Sequence, residues 1–192
     1  MLQERTQPLV STELPADRFT IITGGPGTGK TSLIAELKRR GFAGTVEAAR
    51  AIIIDQTLIG GRALETTDAT LFAEVMLAWE MRSYRLAEQD PAAAIFFDRG
   101  IPELTGYYRM LGMPVPAHVS AAAQVFRYRP RVFLAPAWRA IYTTDTERTQ
   151  NFADAVAGSD GACAAYQTAG YEVISLPLAS VEERADFVLT RR

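Results

Sequence analysis

Cysteine, histidine and lysine are scarce in this chain of 192 residues. It has one cysteine, Cys163, and one histidine, His118, and its 20 basic residues include two lysines, Lys30 and Lys38. A single cysteine excludes a disulfide framework and a cysteine metal cluster, which favours a reducing cytoplasm. We expect Cys163 to be a small buried side chain and His118 a surface or helix-capping residue, rather than reactive groups.

Long apolar runs and an excess of positive charge are also missing. No run approaches the roughly 18 residues of a membrane-spanning helix, and the polar N-terminus has no signal-peptide core. We therefore expect a cytoplasmic protein that binds no membrane. The net charge of −2 provides no overall basic field, so we expect no nucleic-acid partner.

One segment carries a complete phosphate-binding motif. Residues 24–31 read Gly-Gly-Pro-Gly-Thr-Gly-Lys-Thr, the pattern G-x-x-x-x-G-K-[ST], between an apolar run and an amphipathic segment. Such glycines let successive backbone N–H groups converge on phosphate oxygens, and the helix that follows presents its positive end to the same charge. The motif predicts a nucleotide-binding loop, with a glycine-rich capping turn as the alternative. The predicted binding residues are Gly25, Pro26, Gly27, Thr28, Gly29, Lys30, Thr31 and Ser32.

The last residues of this loop have separate predicted roles. Lys30 reaches the β- and γ-phosphates, and Thr31 places its hydroxyl on Mg²⁺. The predicted cofactors are therefore Mg²⁺ and ATP. A guanine-specifying N-K-x-D element is missing, because the nearest match, residues 151–154, lacks the lysine. This absence argues against a signalling GTPase but leaves GTP open as the bound nucleotide.

Short apolar runs alternate with helical segments, a pattern typical of a parallel α/β sheet. We predict an α/β fold, a three-layer α/β/α P-loop NTPase with a five-stranded parallel sheet. Residues 1–18 are expected to form a flexible arm, and residues 19–192 the nucleotide-binding domain, with a helical lid around 136–150. Strands are predicted near 19–23, 43–46, 94–98, 131–135 and 171–175, and helices near 30–40, 48–59, 69–89, 102–111, 117–126, 146–169 and 180–190.

Two acidic residues follow predicted strands. Asp98 ends the apolar run that starts at Ala94, the Walker-B arrangement, so we expect it to hold Mg²⁺ together with Thr31. The alternative for Asp98 is a solvated acid that begins a turn. Glu47 follows the second strand and faces the same crevice, where it would accept the proton of an attacking hydroxyl. Glu47 could instead begin the next helix and complement its dipole.

Several arginines are candidates for binding phosphate or substrate. Arg99 directly follows Asp98 and could clamp phosphate oxygens in two places. Arg148, which we favour over Arg139, lies in the suspected lid and would bring positive charge onto the migrating phosphoryl group. Arg50, one turn after Glu47, could bind an acidic acceptor. Ordinary surface arginines are the alternative in each case.

Taken together, these motifs resemble a family of small P-loop AAA-domain proteins that includes the nicotinamide riboside kinase domain of NadR-type proteins. The resemblance covers about residues 19 to 190 and rests on residues 19–31, 46–50, 96–100, 170–173 and 180–184. It implies a P-loop kinase-like fold with a Mg²⁺-nucleotide at Gly24 to Thr31 and Asp98. It also implies a small-molecule kinase more than a ring-forming AAA machine.

These arguments lead to a functional expectation and a rival. We expect a Mg²⁺-dependent, ATP-binding P-loop kinase that transfers the γ-phosphoryl group to an unidentified small hydroxyl acceptor. Lys30, Glu47, Asp98, Arg99 and Arg148 are the expected catalytic residues. The rival is a nucleotide-gated binding module or slow ATPase without an acceptor, whose closure is read by a protein partner.

Overall fold

The computed structural model describes residues 15–142 and 151–192. A short 3₁₀ turn, Pro15–Arg18, leads into the first strand. The strands are β1 (Phe19–Thr23), β2 (Ala43–Gly44), β3 (Ile95–Asp98), β4 (Arg131–Leu134) and β5 (Glu172–Ser175). The helices are α1 (Lys30–Arg39), α2 (Ala48–Ile59), α3 (Ala69–Gln89), α4 (Pro102–Met110), α5 (Ala117–Val125), α6 (Phe152–Thr168) and α7 (Val181–Arg191).

Two elements differ from the predicted bounds for identifiable reasons. β2 ends at Gly44, two residues early, and the Thr45 hydroxyl then accepts a hydrogen bond from the Asp98 N–H at 3.0 Å. α6 begins at Phe152 rather than near residue 146, because Asn151 and Asp154 form a capping box. Residues 1–14 of the predicted arm and residues 143–150 of the predicted lid lie outside the described residues.

All strand pairs are parallel, and the strand order is β2-β3-β1-β4-β5. The carboxyl ends of parallel strands share one edge of the sheet, and ligands bind there in such folds. The glycine-rich loop leaves β1 at this edge, Glu47 follows β2, and Asp98 ends β3. The register pairs Ile22 of β1 with Asp98, so the acid lies beside the start of the loop.

Alternating side chains divide the core between the two faces of the sheet. On one face Ile22, Phe96 and Phe133 pack against α1 and α7. On the other face Phe19 and Phe97 pack with tyrosines of α3 and α6. A further apolar cluster joins α2, α3, α4 and α5. The result is the predicted three-layer α/β/α arrangement. Within the described ranges, no helix combines the length and the apolar character needed to cross a membrane.

Candidate active site

The glycine-rich loop lies tightly against its neighbours. A Cβ atom on Gly24, whose φ is +137°, would lie 2.3 Å from the carbonyl oxygen of Ala135. A Cβ atom on Gly25 would lie 2.0 Å from the carbonyl oxygen of Ala155 in α6. Both distances are far below van der Waals contact, so neither position accepts another residue without displacing the backbone. The loop is thus a cradle of bare backbone between β4 and α6.

The start of α1 faces the cradle. Its N-cap residue is Gly29, in the left-handed conformation, and no side chain caps the helix. The first N–H groups of the helix, which have no partner within the helix, therefore point toward the loop, where they can bind an anion. The four glycines of the loop and an uncapped helix start form an arrangement that can bind a chain of phosphates.

Lys30 lies inside the cradle with 4% of its surface exposed. Its Nζ donates a hydrogen bond to the Gly25 carbonyl at 2.8 Å, and the Thr28 hydroxyl donates to the same oxygen at 2.9 Å. Burial, assisted by the charge of Arg99, lowers the pKa of Lys30 to about 8, while Glu47 and Asp98 oppose the shift. Lys30 is thus mostly protonated at pH 7 and able to bind phosphate.

Asp98 is a buried acid with an unused oxygen. The residue is 3% exposed, and its Oδ1 has no hydrogen-bond partner among the described residues. Burial raises the pKa of Asp98 to about 6, against the positive charge of Lys30. Asp98 and Thr31 line the same cleft of about 280 Å³.

These two residues fit a magnesium ion. A buried carboxylate oxygen without a partner is costly, and a cation would satisfy it. Mg²⁺ needs only one or two protein oxygens beside water and phosphate. The part of the chain that the structure describes contains no cluster of three or more His, Cys, Asp or Glu side chains that could enclose an ion. Asp98 with the Thr31 hydroxyl is therefore the arrangement that suits a shared nucleotide–metal site.

Glu47, Arg99 and Glu103 form a chain of ion pairs. The Nε of Arg99 donates to Glu47 at 3.1 Å, and its Nη1 donates to Glu103 Oε1 at 2.5 Å. Glu103 Oε2 accepts two further hydrogen bonds, from the Thr23 hydroxyl at 2.8 Å and the Tyr166 hydroxyl at 3.1 Å. Burial opposes the charge on Arg99, but the surrounding carboxylates outweigh it and raise its pKa. Arg99 is thus a fixed cation between two carboxylates.

The backbone at Arg99 is unusual. Its φ is +72°, and it is the one residue other than glycine with a positive φ among the described residues. Such a conformation costs an L-residue on the order of 1 kcal/mol or more. The Arg99 N–H donates to the Ile22 carbonyl at 3.0 Å, which extends the pairing with β1 by one residue and holds the turn. From this turn the Arg99 side chain reaches Glu47.

Glu47 is the N-cap residue of α2, but its side chain does not cap the helix. The carboxylate is buried and paired with Arg99 instead. Glu47 also lines both clefts, beside the phosphate-binding loop. Its position at the helix start is therefore as the alternative expectation had it, while its carboxylate faces the site.

The larger cleft, of about 550 Å³, runs across the loop toward α7. It is lined by Trp138, Ile141 and Tyr142, which follow β4, and by residues 179–181 at the start of α7. The loop residues 26–32, including Ser32, form the floor. An aromatic and aliphatic wall beside a phosphate-binding floor has the shape and chemistry of a nucleotide cleft.

Arg184 of α7 contacts the loop and also lines the larger cleft. It is 4% exposed, and both of its terminal nitrogens donate to the Thr28 carbonyl at 3.2 Å. Its Nε is buried without a partner in the described ranges, and burial lowers the pKa of the group. A Cβ atom on Gly29 would lie 2.9 Å from Arg184 Nη1, so the guanidinium lies directly against the cradle.

The structure brings most of the predicted site residues together. Lys30, Thr31, Glu47, Asp98 and Arg99 meet at the carboxyl edge of the sheet, next to the loop. Arg148 lies outside the described residues, and Arg139 lies over the ring of Phe152 at 4.3 Å. Arg50 lines both clefts.

The sequence reasoning assigned no role to four residues that contact or approach the site: Glu80, Glu103, Ser159 and Arg184. Two of them had a signal. Glu80 and Arg184 fall at helical spacing within stripes of buried apolar residues on α3 and α7, where a charged side chain is informative. Glu103 comes four residues after Arg99, in the first turn of α4. Ser159, in an alanine-rich helix, had no signal in the sequence.

Comparison with known proteins places the chain in a family context. The model of an AAA domain family matches residues 19–184. Among solved structures, a NadR protein in complex with NR aligns with a TM-score of 0.66 at 15% identity, covering 91% of this chain and 50% of that one. This chain therefore spans half the length of the NadR chain. No curated protein matches by sequence.

A second solved structure matches along nearly its whole length. Deoxyadenosine kinase from M. mycoides with bound dATP aligns with a TM-score of 0.60 at 12% identity, covering 90% of this chain and 98% of the kinase. The same kinase with products bound aligns equally well, with a TM-score of 0.60. These likenesses confirm the predicted fold class, the three-layer α/β arrangement of P-loop kinases.

Proposed function

The chain belongs to this AAA domain family, and from that premise we propose that it is a Mg²⁺-dependent P-loop kinase transferring the γ-phosphoryl group of ATP to a small hydroxyl acceptor. One observation carries the proposal. A phosphate cradle, a buried acid with an unused oxygen, and a second acid held by an arginine all meet at the carboxyl edge of one sheet.

The nucleotide half of the site is assigned to the loop and its surroundings. Backbone N–H groups of Gly27 to Ser32 hold the phosphates, and Lys30 exchanges its bond to the Gly25 carbonyl for phosphate oxygens. Thr31 and Asp98 would hold Mg²⁺, which neutralises charge on the phosphates when bound. The nucleotide base lies in the larger cleft, against Trp138 and Tyr142.

The acceptor half of the site is assigned to Glu47. A carboxylate near the γ-phosphate position can accept the proton of the attacking hydroxyl, provided that it is ionised and held in place. The ion pair with Arg99 supplies both conditions, since the guanidinium favours the charged form of Glu47 and fixes its orientation. Arg99 was expected to clamp phosphate, but both of its sides contact carboxylates, so we assign it as a positioning residue.

Other cations must then stabilise the negative charge on the migrating phosphoryl group. Lys30 is one of them. Arg148 remains the proposed second cation, on sequence grounds alone. Positioning and electrostatic stabilisation together account for most of the acceleration in such reactions.

The acceptor is sought first among nucleosides. The NadR structure contains NR, and the deoxyadenosine kinase structures contain dATP and nucleotide products, so both similar folds accommodate nucleoside-type ligands. We propose screening ribosides and deoxyribonucleosides, followed by sugars and vitamins with free hydroxyls, for stimulated ADP release from Mg-ATP.

The base assignment is tested with Glu47→Gln. The change keeps size and removes the proton acceptor, so acceptor-stimulated turnover should fall by about 10²-fold, while Mg-ATP affinity stays within about threefold. Glu172→Gln, at an exposed acid on β5, is the matched control and should leave both quantities unchanged. Full turnover in Glu47→Gln would remove Glu47 from the mechanism. A panel without stimulation, with Mg-ATP still bound tightly, would support the nucleotide-gated module instead.

A further inference from the structure

Helix α6 contacts both halves of the proposed site through two side chains on one face. The Ser159 hydroxyl accepts a hydrogen bond from the Gly25 N–H of the loop at 2.9 Å. The Tyr166 hydroxyl donates to Glu103, which holds Arg99. Seven residues separate Ser159 from Tyr166, which is two helical turns or about 10.5 Å along one face. Both side chains are buried.

The rest of this face consists of small residues, and the packing is close. A Cβ atom on Gly158 would lie 3.4 Å from the Cα of Gly25. The Ala155 carbonyl occupies the space where a Cβ atom on Gly25 would lie. At the other end, a Cβ atom on Gly106 of α4 would lie 3.1 Å from the Cβ of Ala165. α6 therefore approaches the loop and α4, which carries Glu103, at nearly backbone distance. Large side chains would separate these elements and lengthen both hydrogen bonds.

The two contacts act on different parts of the site. Ser159 holds the peptide N–H of Gly25, the residue whose carbonyl receives Lys30 and Thr28. Tyr166 and Thr23 together satisfy Glu103 Oε2, which leaves Oε1 for Arg99 Nη1 and turns Arg99 Nε toward Glu47. Without Tyr166, Glu103 has one fewer donor and Arg99 has a less fixed partner.

We infer that α6 aligns the phosphate cradle with the proposed general base, Glu47. Ser159 positions the loop through Gly25, and Tyr166 positions Glu47 through Glu103 and Arg99. The part of this inference that concerns Tyr166 rests on the proposed role of Glu47. Neither residue touches the reacting atoms, so both are positioning residues.

The inference is tested with Ser159→Ala and Tyr166→Phe, each of which removes one hydroxyl and leaves the helix packing. Tyr108→Phe is the control for the tyrosine, because that buried hydroxyl donates to Glu74 on α3, away from Arg99. Ser120→Ala on α5 is the control for the serine. All four variants should unfold at temperatures close to that of the original chain.

Amide hydrogen exchange without nucleotide gives the first readout. Ser159→Ala should speed exchange in residues 24–29 at least fivefold and leave residues 99–104 unchanged. Tyr166→Phe should show the reverse pattern, and the controls neither. This readout does not depend on phosphoryl transfer, so it separates the inference from the proposed function.

Binding and turnover give the second readout, with Mg-ADP as the ligand and Mg-ATP plus the nucleoside panel as substrates. Ser159→Ala should weaken Mg-ADP at least fivefold with turnover within twofold. Tyr166→Phe should lower turnover about tenfold, move the acidic limb of its pH profile, and keep Mg-ADP affinity within twofold. Unchanged exchange in both variants, or equal effects of both on affinity and turnover, would overturn the inference. If the two variants change hydrogen exchange in different segments but the chain releases no ADP, the positioning role of α6 is supported and the proposed kinase activity is refuted.

Discussion

Glu80 is a buried acid that the proposed mechanism does not use. It lies on the apolar face of α3 with 6% of its surface exposed. Burial, followed by the negative charge of Glu103, raises the pKa of Glu80 to about 8. At neutral pH the group is therefore mostly protonated, which spares the site a fourth carboxylate charge beside Glu47, Asp98 and Glu103.

This shift predicts a pH-dependent loss of stability. An acid whose pKa is higher in the folded state binds more protons when folded, so the free energy of unfolding decreases as pH rises from about 4.5 to about 8. Glu80→Gln removes that slope. By pH 9 the variant should gain up to about 5 kcal/mol over the original chain, with little difference near pH 4.5.

Urea denaturation at pH 5, 7 and 9 measures the effect. Glu88→Gln is the control, because that acid is partly exposed near the end of the same helix and pairs with Arg85 at the surface. It should change the unfolding free energy by less than about 1 kcal/mol at each pH. A Glu80→Gln variant that parallels the original chain across this range would show that Glu80 ionises freely in the folded state.

For individual residues, the sequence was informative where a motif determines the residue's role. Lys30, Thr31 and Asp98 could be named because a loop pattern and a strand end determine where they lie. Glu103, Ser159 and Tyr166 could not, since their contacts join parts of the chain up to 134 residues apart. Arg99 could be identified as a site residue from its place after Asp98. Its two carboxylate partners could not be predicted, because no sequence motif indicates the positive φ at this residue.

Among the elements, α7 connects the edge of the fold to the phosphate cradle. Its capping box at Ser180 and Glu183 fixes where the helix starts, and Arg184 one residue later reaches the Thr28 carbonyl. A cation here supports the loop and adds positive potential beneath the phosphates. Its burial is costly, because charged groups lose hydration when they leave water.

Arg184→Met should therefore separate binding from stability. Methionine fills similar space without the charge, so Mg-ATP should bind about tenfold more weakly, which corresponds to about 1.4 kcal/mol. The free energy of unfolding should change by less, because the cost of burying the charge disappears together with its hydrogen bonds. Calorimetric titration and urea denaturation measure the two quantities.

The control for this variant is Arg191→Met, on the same helix. Arg191 lies over the ring of Phe187, away from the loop, so its replacement should leave Mg-ATP affinity unchanged. Equal affinities in the Arg184 and Arg191 variants would mean that α7 supports the fold and has no effect on the nucleotide.

The elements themselves followed closely from the sequence, because apolar periodicity and capping residues act locally. The exceptions were the end of β2, two residues early, and the start of α6, where an Asn-x-x-Asp capping box fixes the first turn. The small residues of α6 make the opposite point. The alanines predict a helix but not its partner, so the sequence alone did not indicate that this helix packs on the loop.

At the scale of the whole molecule, the strand order explains the site. Residues from three chain regions, the loop after β1, Glu47 after β2 and Asp98 at the end of β3, become neighbours because β2, β3 and β1 lie side by side. The alternation of strands and helices predicted a parallel sheet. The order of the strands, and hence which strand ends lie together, came from the structure rather than from periodicity.

The central claim is that a triphosphate with magnesium lies in the Gly24 to Thr31 cradle and depends on Lys30. The chain supplies a matched control in Lys38, its other lysine, which lies two turns further along α1. Because burial lowers the pKa of Lys30 to about 8, Mg-ATP affinity should also weaken as the pH rises above 8 and the free lysine loses its charge.

Calorimetric titration of the purified chain with Mg-ATP tests this claim most directly. We predict saturable binding by the original chain and by Lys38→Ala, and at least a 30-fold loss of affinity, about 2 kcal/mol, in Lys30→Ala. No heat of association with the original chain, or equal binding by the two lysine variants, would contradict the account.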